Sequence, residues 1–284
     1  MAAPDFNKAN RIIDAALSKM KEKVSIVEPK FNQMLIDWIN KFDTSSGNIS
    51  KSKSNNKRLL AFKRAFERMI LRSGYNEMVS EFLVNFEELQ DNQQTFQRDF
   101  NGIKLNKKFL NPYKRFAINQ TVNDLQKSGL DVALLRPIQD ELFTSVNQGG
   151  SLKDMIESLE AQIVTTKESS GLMRRLVTTA SRDALGQYNG KVNEAVRKSF
   201  KMDGILYVGS NIKDTRPQCL RWTGWRGNGE KGLLKVEELQ DQINWAFNNG
   251  TGMNKATTVE TFTAYRGGFN CRHSAYPTRL ENYR

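Results

Sequence analysis

Histidine and cysteine are scarce in this sequence, which has one His and two Cys among its 284 residues. A single histidine excludes metal centres built from several histidines and catalytic mechanisms that need a histidine pair. Two cysteines cannot make the disulfide framework that small secreted domains use. We therefore expect a protein that folds around a hydrophobic core and is made in a reducing, cytoplasmic compartment.

Long apolar stretches are also missing. The sequence has no run of about eighteen apolar residues, the length that a membrane-spanning helix needs. The opening segment is MAAPDFNKANRIIDAALSKMKEK, which carries charges where a secretory signal needs apolar residues. These absences predict a soluble protein that has no transmembrane helix and is not exported through a signal peptide.

Positive charge, in contrast, is abundant. The 43 Lys and Arg outnumber the 31 Asp and Glu, so the formal net charge is +12. A hydrophobic share of 38% is too high for a disordered chain, so this surplus belongs to the surface of a folded protein. It indicates an anionic partner, with nucleic acid as the first candidate, although basic surfaces also occur in proteins that bind no nucleic acid.

Proline spacing and hydrophobic periodicity predict the fold class. No proline lies between Pro29 and Pro112 or between Pro137 and Pro217, and most of both stretches has helical periodicity. After about Asp203 short strands, turns and helices alternate, and both cysteines and the histidine lie there. We predict an α+β fold, with a mostly helical N-terminal two thirds and a small C-terminal module. The predicted segments are a helical basic region at 1–118, either a domain or an arm that orders on assembly, a helical region at 119–202 and an α+β module at 203–284.

Local patterns refine this prediction. The Ser- and Asn-rich tract at 44–56 predicts a flexible linker or an exposed loop. Helical periodicity predicts a helix over 233–249, and the alternating TTVETFTAY predicts a strand over 257–265. Gly186 and Gly190 lie inside a predicted helix, where they either allow a close approach by another segment or weaken the helix.

Two clusters of basic residues are candidates for phosphate contacts. The first is KRLLAFKRAFERMILR at 57–72, which contains a single acidic residue and has arginines at four-residue intervals beside an apolar stripe. The second surrounds NPYKR at 111–115 and is interleaved with aromatic residues. Both fit sequence-independent DNA binding, and both also fit the solvated face of a helix bundle. The apolar stripe comprises Leu59, Phe62, Phe66, Met69 and Ile70. The candidate nucleic-acid-binding residues are Lys57, Arg64, Arg68, Arg72, Lys104, Lys107, Lys108, Lys114 and Arg115.

The C-terminal part of the sequence has four short strings in a fixed order. The first, in a predicted helix, is Ser181 to Asn189, and the second, in a predicted strand, is Ile205 to Gly209. The third is Asp214-Thr215-Arg216-Pro217-Gln218-Cys219, followed by Gly224, and the fourth is Asn270-Cys271-Arg272-His273, followed by Pro277. In this order and spacing the four strings resemble the phage head-morphogenesis family, the Mu F-like minor head proteins. The resemblance covers roughly residues 120–284.

The resemblance implies a non-enzymatic virion component that is made in the host cytoplasm. Such a protein would act in head assembly and in DNA packaging or ejection, and would lie in the head interior or at the portal vertex. Its partners would be the portal protein, major capsid or scaffold proteins, and double-stranded DNA bound without sequence preference. The basic clusters fit the last of these partners.

The third and fourth strings predict a structural clasp. Asp214 and Pro217 suit a capped helical turn, where the carboxylate accepts from free backbone N–H groups and the proline costs no donor. Arg216 and Arg272 have planar guanidinium groups that can clamp Asp214 or backbone carbonyls and so join the strings. The predicted clasp comprises Asp214, Arg216, Pro217, Cys219, Asn270, Cys271, Arg272 and His273.

The thiols of Cys219 and Cys271 and the imidazole of His273 leave three states open. The first is a zinc site, which needs a fourth ligand such as Asp214 or water. The second is a disulfide between the two cysteines, and the third is a metal-free, hydrogen-bonded core. We expect the metal-free core and no cofactor, with zinc as the alternative.

The alternative function is an enzymatic one, a nuclease or toxin-like effector that uses the C-terminal module around His273. Arg272 and either Glu260 or Glu281 would assist the histidine. A Cys–His nucleophile would need an orienting third group and an oxyanion hole, and no string in the sequence supplies them. No paired-carboxylate metal motif and no phosphate-binding glycine loop is evident either. We therefore expect a protein that is not an enzyme.

Overall fold

The computed structural model describes residues 5–224, 226–227, 230–268 and 271–283, most of which lie in helices. This confirms the predicted α+β class with a mostly helical N-terminal part and a small C-terminal sheet. None of the described helices combines the length and apolar character that a membrane span requires. The helices are α1 (Lys8–Ile39), α2 (Lys53–Ser73), α3 (Tyr75–Leu83), α4 (Asn85–Asn101), α5 (Lys107–Gln126), α6 (Ser128–Leu130), α7 (Arg136–Gln148), α8 (Leu152–Ile163), α9 (Leu172–Ser199), α10 (Pro217–Gly224), α11 (Leu239–Asn249) and α12 (Phe262–Tyr265). The strands are β1 (Thr44–Ser45), β2 (Asn48–Ile49), β3 (Gly204–Val208), β4 (Arg226–Gly227), β5 (Glu230–Lys231), β6 (Leu233–Lys235) and β7 (Ser274–Thr278).

The chain forms two compact units that alternate along the sequence. The mixed unit comprises residues 1–15, 84–119 and 182–284, and the helical unit comprises residues 16–83 and 120–181. The sequence instead predicted consecutive segments divided after residues 118 and 202. Three helices, α1, α5 and α9, contribute residues to both units, and a helix running from one unit into the other leaves no change of composition at the division.

Aromatic side chains form the centre of the helical unit. The apolar stripe of α2 is buried, as its periodicity predicts. The rings of Phe31 and Phe66 meet edge to face with centroids 5.6 Å apart, and Trp38 packs on Phe62 at 5.1 Å. Trp38 and Phe62 lie on α1 and α2, so this aromatic cluster joins the two helices.

The polar tract at 44–56 contains regular structure and is not a flexible linker, whereas most of its residues are exposed, as the alternative prediction of an exposed loop requires. Strands β1 and β2 pair in a short hairpin within it, and Ser52 caps α2 by accepting from the backbone N–H of Asn55. The fully buried Asn55 amide then donates to the carbonyls of Asp43 and Ser50, at 2.9 and 2.7 Å. One buried amide therefore satisfies backbone groups that would otherwise need regular structure.

The mixed unit contains a small sheet with the strand order β5-β4-β6-β3-β7. Strand β3 lies between β6 and β7 and is antiparallel to both, with Val208 opposite Ser274 at one end. The predicted helix over 233–249 begins only at Leu239, because residues 233–235 pair with β3 as strand β6. The predicted strand over 257–265 is wrong, since these residues form turns and the short helix α12.

A ladder of buried side-chain amides connects α4, α9 and β7 within the mixed unit. Gln93 donates to the amide oxygen of Asn189, and Gln97 donates to that of Asn193 at 3.2 Å. Asn193 in turn donates to the carbonyl of Ala275 at 2.9 Å, in β7. All four amide side chains are buried, so each unmade bond would carry the full cost of desolvation.

Glycines in α9 allow another segment of the mixed unit to approach the helix closely. A Cβ built on Gly190 would lie 2.1 Å from the carbonyl oxygen of Thr263 and 2.5 Å from Cα of Ala264. The Thr263 hydroxyl also donates to the Gly190 carbonyl at 2.9 Å. At Gly186 the nearest atom is instead the end of the Arg266 side chain, Nη2 at 2.7 Å. The first of the two sequence-based interpretations, a close approach, is therefore correct for Gly190.

These two glycines make a matched pair for a stability measurement. We expect Gly190→Ala to lower the free energy of unfolding by about 1–3 kcal/mol, because the methyl group meets backbone atoms that cannot move independently. Gly186→Ala should be close to neutral, since a flexible side-chain end can shift and alanine favours the helix by about 1 kcal/mol over glycine. Urea unfolding followed by far-UV circular dichroism measures both, and equal midpoints would contradict the close approach at Gly190.

Candidate functional site

The candidate site lies in the mixed unit, where α10 meets the segment that leads into β7. Pro217 is the first residue of α10, which places Cys219 within its first turn. Cys271 and His273 directly precede β7, and the pairing of β7 with β3 brings His273 beside Tyr207. Antiparallel register thus aligns two segments that are far apart in sequence.

Two thiols and one imidazole form a compact group, which we call the Cys/His cluster. Sγ of Cys219 and Sγ of Cys271 are 3.9 Å apart, and Sγ of Cys271 lies 3.8 Å from Nδ1 of His273. All three ligand atoms lie within 4.8 Å of one another. Cys219 and His273 are buried, and Cys271 is half-buried. Both cysteines are free thiols, so the structure does not contain the disulfide that the sequence left open.

Two further side chains, Tyr207 and Asn211, hold the Cys/His cluster in place. The Tyr207 hydroxyl lies 3.3 Å from the sulfur of Cys219 and 3.5 Å from that of Cys271, and its ring stacks on His273 with centroids 5.4 Å apart. Nε2 of His273 lies 3.3 Å from Oδ1 of Asn211. Because an amide oxygen can only accept, Nε2 carries the proton, and Nδ1 presents its lone pair to the cluster.

The surroundings make the two thiols unequal. The pKa of Cys271 lies well below its usual range, mainly because the Cys219 thiol donates to its sulfur, and the positive charge of Arg266 lowers it further. The pKa of Cys219 is raised by that same hydrogen bond and by burial. Burial also raises the pKa of Tyr207 well above its ordinary value, so its hydroxyl remains a donor. Cys271 is therefore the thiol that ionises first.

A set of hydrogen bonds around the Gly267 carbonyl joins α10 to the glycine turn. Arg216 donates to this carbonyl through Nη1 at 2.6 Å, and the buried Gln218 donates to it at 3.1 Å. Gln218 also donates to the carbonyl of Thr251 at 2.7 Å and accepts from its N–H at 3.1 Å. A Cβ on Gly267 would lie 2.3 Å from Sγ of Cys219, so only glycine leaves room for the cluster.

The predicted clasp residues divide into those that the structure brings together and those that it does not. Arg216 donates to the backbone carbonyl of Gly267, which precedes the fourth string, as one of its two predicted roles requires. Asp214 is exposed, and its carboxylate accepts no hydrogen bond in the part of the chain that the structure describes, so its predicted role as a cap is wrong. Arg272 is exposed, and Asn270 lies outside the described residues.

The glutamates named for the enzymatic alternative lie apart from the Cys/His cluster. Among the described residues the cluster contains no carboxylate. Glu260 accepts from the hydroxyl of Thr258 at 2.8 Å, which lowers the pKa of its carboxyl. Glu281 pairs with Arg279 at 3.3 Å. In the part of the chain that the structure describes, neither glutamate joins His273 in the cluster.

The Cys/His cluster borders a cleft of about 270 Å³. Its walls carry charges of both signs, because Asp214 is acidic and Arg216 and Arg272 are basic. Cys219, Cys271 and His273 all line it, although Cys219 and His273 are buried and Cys271 is half-buried. The cleft therefore provides space for a small ligand or ion next to the cluster.

The two basic clusters lie in different units. Lys57, Arg64, Arg68 and Arg72 are exposed on α2 of the helical unit, and the three arginines have no carboxylate within 4.0 Å among the residues described. Lys104, Lys107, Lys108 and Arg115 are exposed in the mixed unit. Lys114 is mostly covered and pairs with Glu87, so it differs from the free phosphate-binding lysine that the sequence predicted.

Sequence reasoning missed three residues that shape the site, namely Tyr207, Asn211 and Gln218. Gln218 stands between Pro217 and Cys219 inside the third string, and that position was the available signal. Tyr207 belongs to the predicted strand, where alternation marks it only as a core residue. Asn211 lies in a loop and reaches His273 through the fold alone, so no sequence pattern identifies it.

The buried amide of Gln218 provides a test of the clasp. We expect Gln218→Glu to lower the free energy of unfolding at pH 7 by about 1–3 kcal/mol, because the carboxylate cannot donate to the carbonyls of Thr251 and Gly267. Burial raises the pKa of the introduced carboxyl, so the deficit should shrink as the pH falls and the group becomes protonated. Chemical unfolding at several pH values measures both effects.

The matched control is Gln240→Glu. Gln240 is exposed and donates to Asn244 at 2.9 Å, so the same change of charge should cost little there at any pH. Equal losses of stability in the two variants would show that Gln218 is an ordinary surface residue.

Comparisons of the chain with family models, with curated proteins and with solved structures give no match.

Proposed function

We propose that the protein is a structural component of a phage head, similar to the Mu F-like minor head proteins. The main observation in support of this proposal is that the third and fourth strings, which are far apart in the sequence, pack together in one core of the mixed unit. Cys219 and Cys271 lie 3.9 Å apart, and Arg216 donates to Gly267 at 2.6 Å. Strings that are juxtaposed in this way behave as one motif rather than as chance matches.

The first and second strings contribute to the same core. The helical string ends at Asn189, within the amide ladder that leads to β7. The strand string contains Tyr207, which contacts both sulfurs of the Cys/His cluster. The order helix, strand, turn and Cys-Arg-His string thus corresponds to a single folded unit, which supports the resemblance across all four strings.

A structural rather than enzymatic role fits the contacts that His273 makes within the protein. His273 is stacked on Tyr207, and each of its ring nitrogens lies near a partner, Asn211 on one side and Cys271 on the other. A general base needs a free lone pair directed at substrate. We therefore infer that this module serves to fold and position the chain next to its partners, the portal protein and other head proteins.

Contact with packaged DNA would occur through the exposed basic side chains. Arg64, Arg68 and Arg72 are one helical turn apart on α2, a spacing that presents three guanidinium groups along one face. Guanidinium groups bind phosphate oxygens without reading the bases. We propose a non-specific, salt-dependent contact there and at Lys104, Lys107, Lys108 and Arg115.

The head assignment predicts that the protein is part of phage particles. In DNase-treated particles purified from the strain that carries the gene, mass spectrometry should detect the chain in few copies per head. Disruption of the gene should abolish infectious particles, and a wild-type copy supplied in trans should restore them. An undiminished titre after disruption, with the chain found only outside particles, would contradict the proposal.

The DNA contact predicts a specific salt dependence. We expect the triple variant Arg64→Glu, Arg68→Glu, Arg72→Glu to bind duplex DNA more weakly. Its plot of log K against log salt should be flatter by about 2 to 3, since each lost phosphate contact removes about 0.9 from the slope. Fluorescence anisotropy with a labelled duplex at several salt concentrations measures the slope.

A second triple variant controls for net charge. Lys19, Lys21 and Lys30 are exposed on α1 in the same helical unit, and reversing them to Glu changes the total charge by the same amount. This control should keep a slope near that of the wild type. Identical slopes for the wild type and the arginine variant would show that the α2 arginines form only a solvated face.

A further inference from the structure

We propose that Cys219, Cys271 and His273 bind one zinc ion that fastens α10 to the segment before β7. The proposal does not depend on the phage head assignment, because it rests on the geometry of the Cys/His cluster alone. It reverses the expectation from sequence, which favoured a metal-free core.

The spacing of the ligand atoms in the Cys/His cluster is close to that of a zinc site. Zinc binds thiolate sulfur at about 2.3 Å and imidazole nitrogen at about 2.0–2.1 Å in a tetrahedron, which places the ligand atoms about 3.4–3.8 Å from one another. The sulfur–sulfur distance is 3.9 Å and the distance from Sγ of Cys271 to Nδ1 of His273 is 3.8 Å. These two distances already lie near the spacing that the metal requires, and Cys219 and His273 have ligand atoms within 4.8 Å of each other, so side-chain rotations would complete the site.

The hydrogen-bond partners of the ligands also suit a metal site. His273 donates through Nε2 to Asn211 and so directs an unprotonated Nδ1 at the two sulfurs. A hydrogen bond from the remote ring nitrogen is the usual arrangement around metal-bound histidines, where it fixes ring orientation and tautomer. The Tyr207 hydroxyl lies within 3.5 Å of both sulfurs and can donate to either thiolate. The cluster thus has a second layer of partners suited to ligands that carry negative charge.

The charges of the ligands match those of a zinc ion. Two thiolates compensate the charge of one divalent zinc ion, so the loaded site is neutral and can lie partly buried. Soft sulfur ligands combined with imidazole favour zinc over magnesium or calcium. All three ligands line the cleft described above, so a metal ion can enter from solvent, and water can occupy the fourth position. Asp214 lies outside the cluster, so the structure does not support it as the fourth ligand.

Metal content of the full-length chain tests the proposal. The protein, purified under reducing conditions and dialysed against buffer with traces of zinc, should contain about one equivalent of zinc by plasma mass spectrometry. Cys219→Ser, Cys271→Ser and His273→Ala should each lose most of it. Less than about a tenth of an equivalent in the wild type, even after titration with zinc, would overturn the proposal, as would copper or iron in place of zinc.

A milder variant keeps the test valid if the ligand variants fail to fold. Asn211→Ala leaves the three ligands in place but removes the partner of Nε2, and we expect it to weaken zinc binding by about 10–100-fold in a competition with a chromophoric chelator. Lys213→Ala, an exposed change in the same loop, is the matched control and should bind as the wild type does. Unaltered affinity in Asn211→Ala, together with zinc retained in Cys271→Ser, would show that any metal lies elsewhere.

Thiol alkylation gives an independent readout. Zinc should slow the modification of Cys219 and Cys271 by iodoacetamide in the wild type, and a chelator should restore the rate. Cobalt in place of zinc should give sulfur-to-metal charge-transfer absorption in the wild type and not in Cys271→Ser. Equal alkylation rates with and without zinc would contradict coordination by the thiols.

Discussion

The approach of α10 to the glycine turn at Gly267 is the contact on which the candidate site depends. Arg216 and Gln218 both donate to the carbonyl of this one residue, and the absence of a side chain lets the sulfur of Cys219 come close to its Cα. A Cβ there would also crowd the sulfur of Cys271, at 3.0 Å, and the Tyr207 hydroxyl, at 3.2 Å. Hydrogen bonding and close packing thus act at the same position, and neither holds without the other.

The rest of the mixed unit is organised around buried polar groups rather than around apolar contacts alone. The amide ladder from Gln93 to Asn193 ends on a carbonyl of β7, and β7 aligns His273 with β3. Buried amides demand partners in fixed directions, so they select one register for the strand where apolar side chains would tolerate several. This specificity matters for the Cys/His cluster, because a shift of one residue in β7 would turn its side chains to the opposite face of the sheet.

The sequence sufficed for the fold class, the buried stripe of α2 and the grouping of Cys219 with Cys271. Each of these depends on local periodicity or on short strings. It did not suffice where tertiary contacts outweigh local preference. The tract at 44–56 is polar in composition and yet ordered by Asn55, and the alternating residues 257–265 form turns because Thr263 bonds to α9 instead of to a strand. No sequence pattern identifies Asn211, and only its position inside the third string points to Gln218, since the roles of both exist only once distant segments have met.

The length of chain with little regular structure explains why a clasp is needed at all. Between the end of α11 at Asn249 and the start of β7 at Ser274, the described residues contain only the four-residue helix α12. A loop of that length loses much conformational entropy on folding, which the burial of Phe262 and Ala264 offsets only in part. Hydrogen bonds from Gln218 to Thr251 and Gly267 fix this loop at two points. The Cys/His cluster lies just before β7, where the loop requires a third point of attachment. Hydrogen bonds between weak thiol donors stabilise little, whereas metal–ligand bonds contribute directly to folding. A zinc ion at this position would therefore stabilise the loop between α11 and β7, which the Gln218 amide fixes only in part.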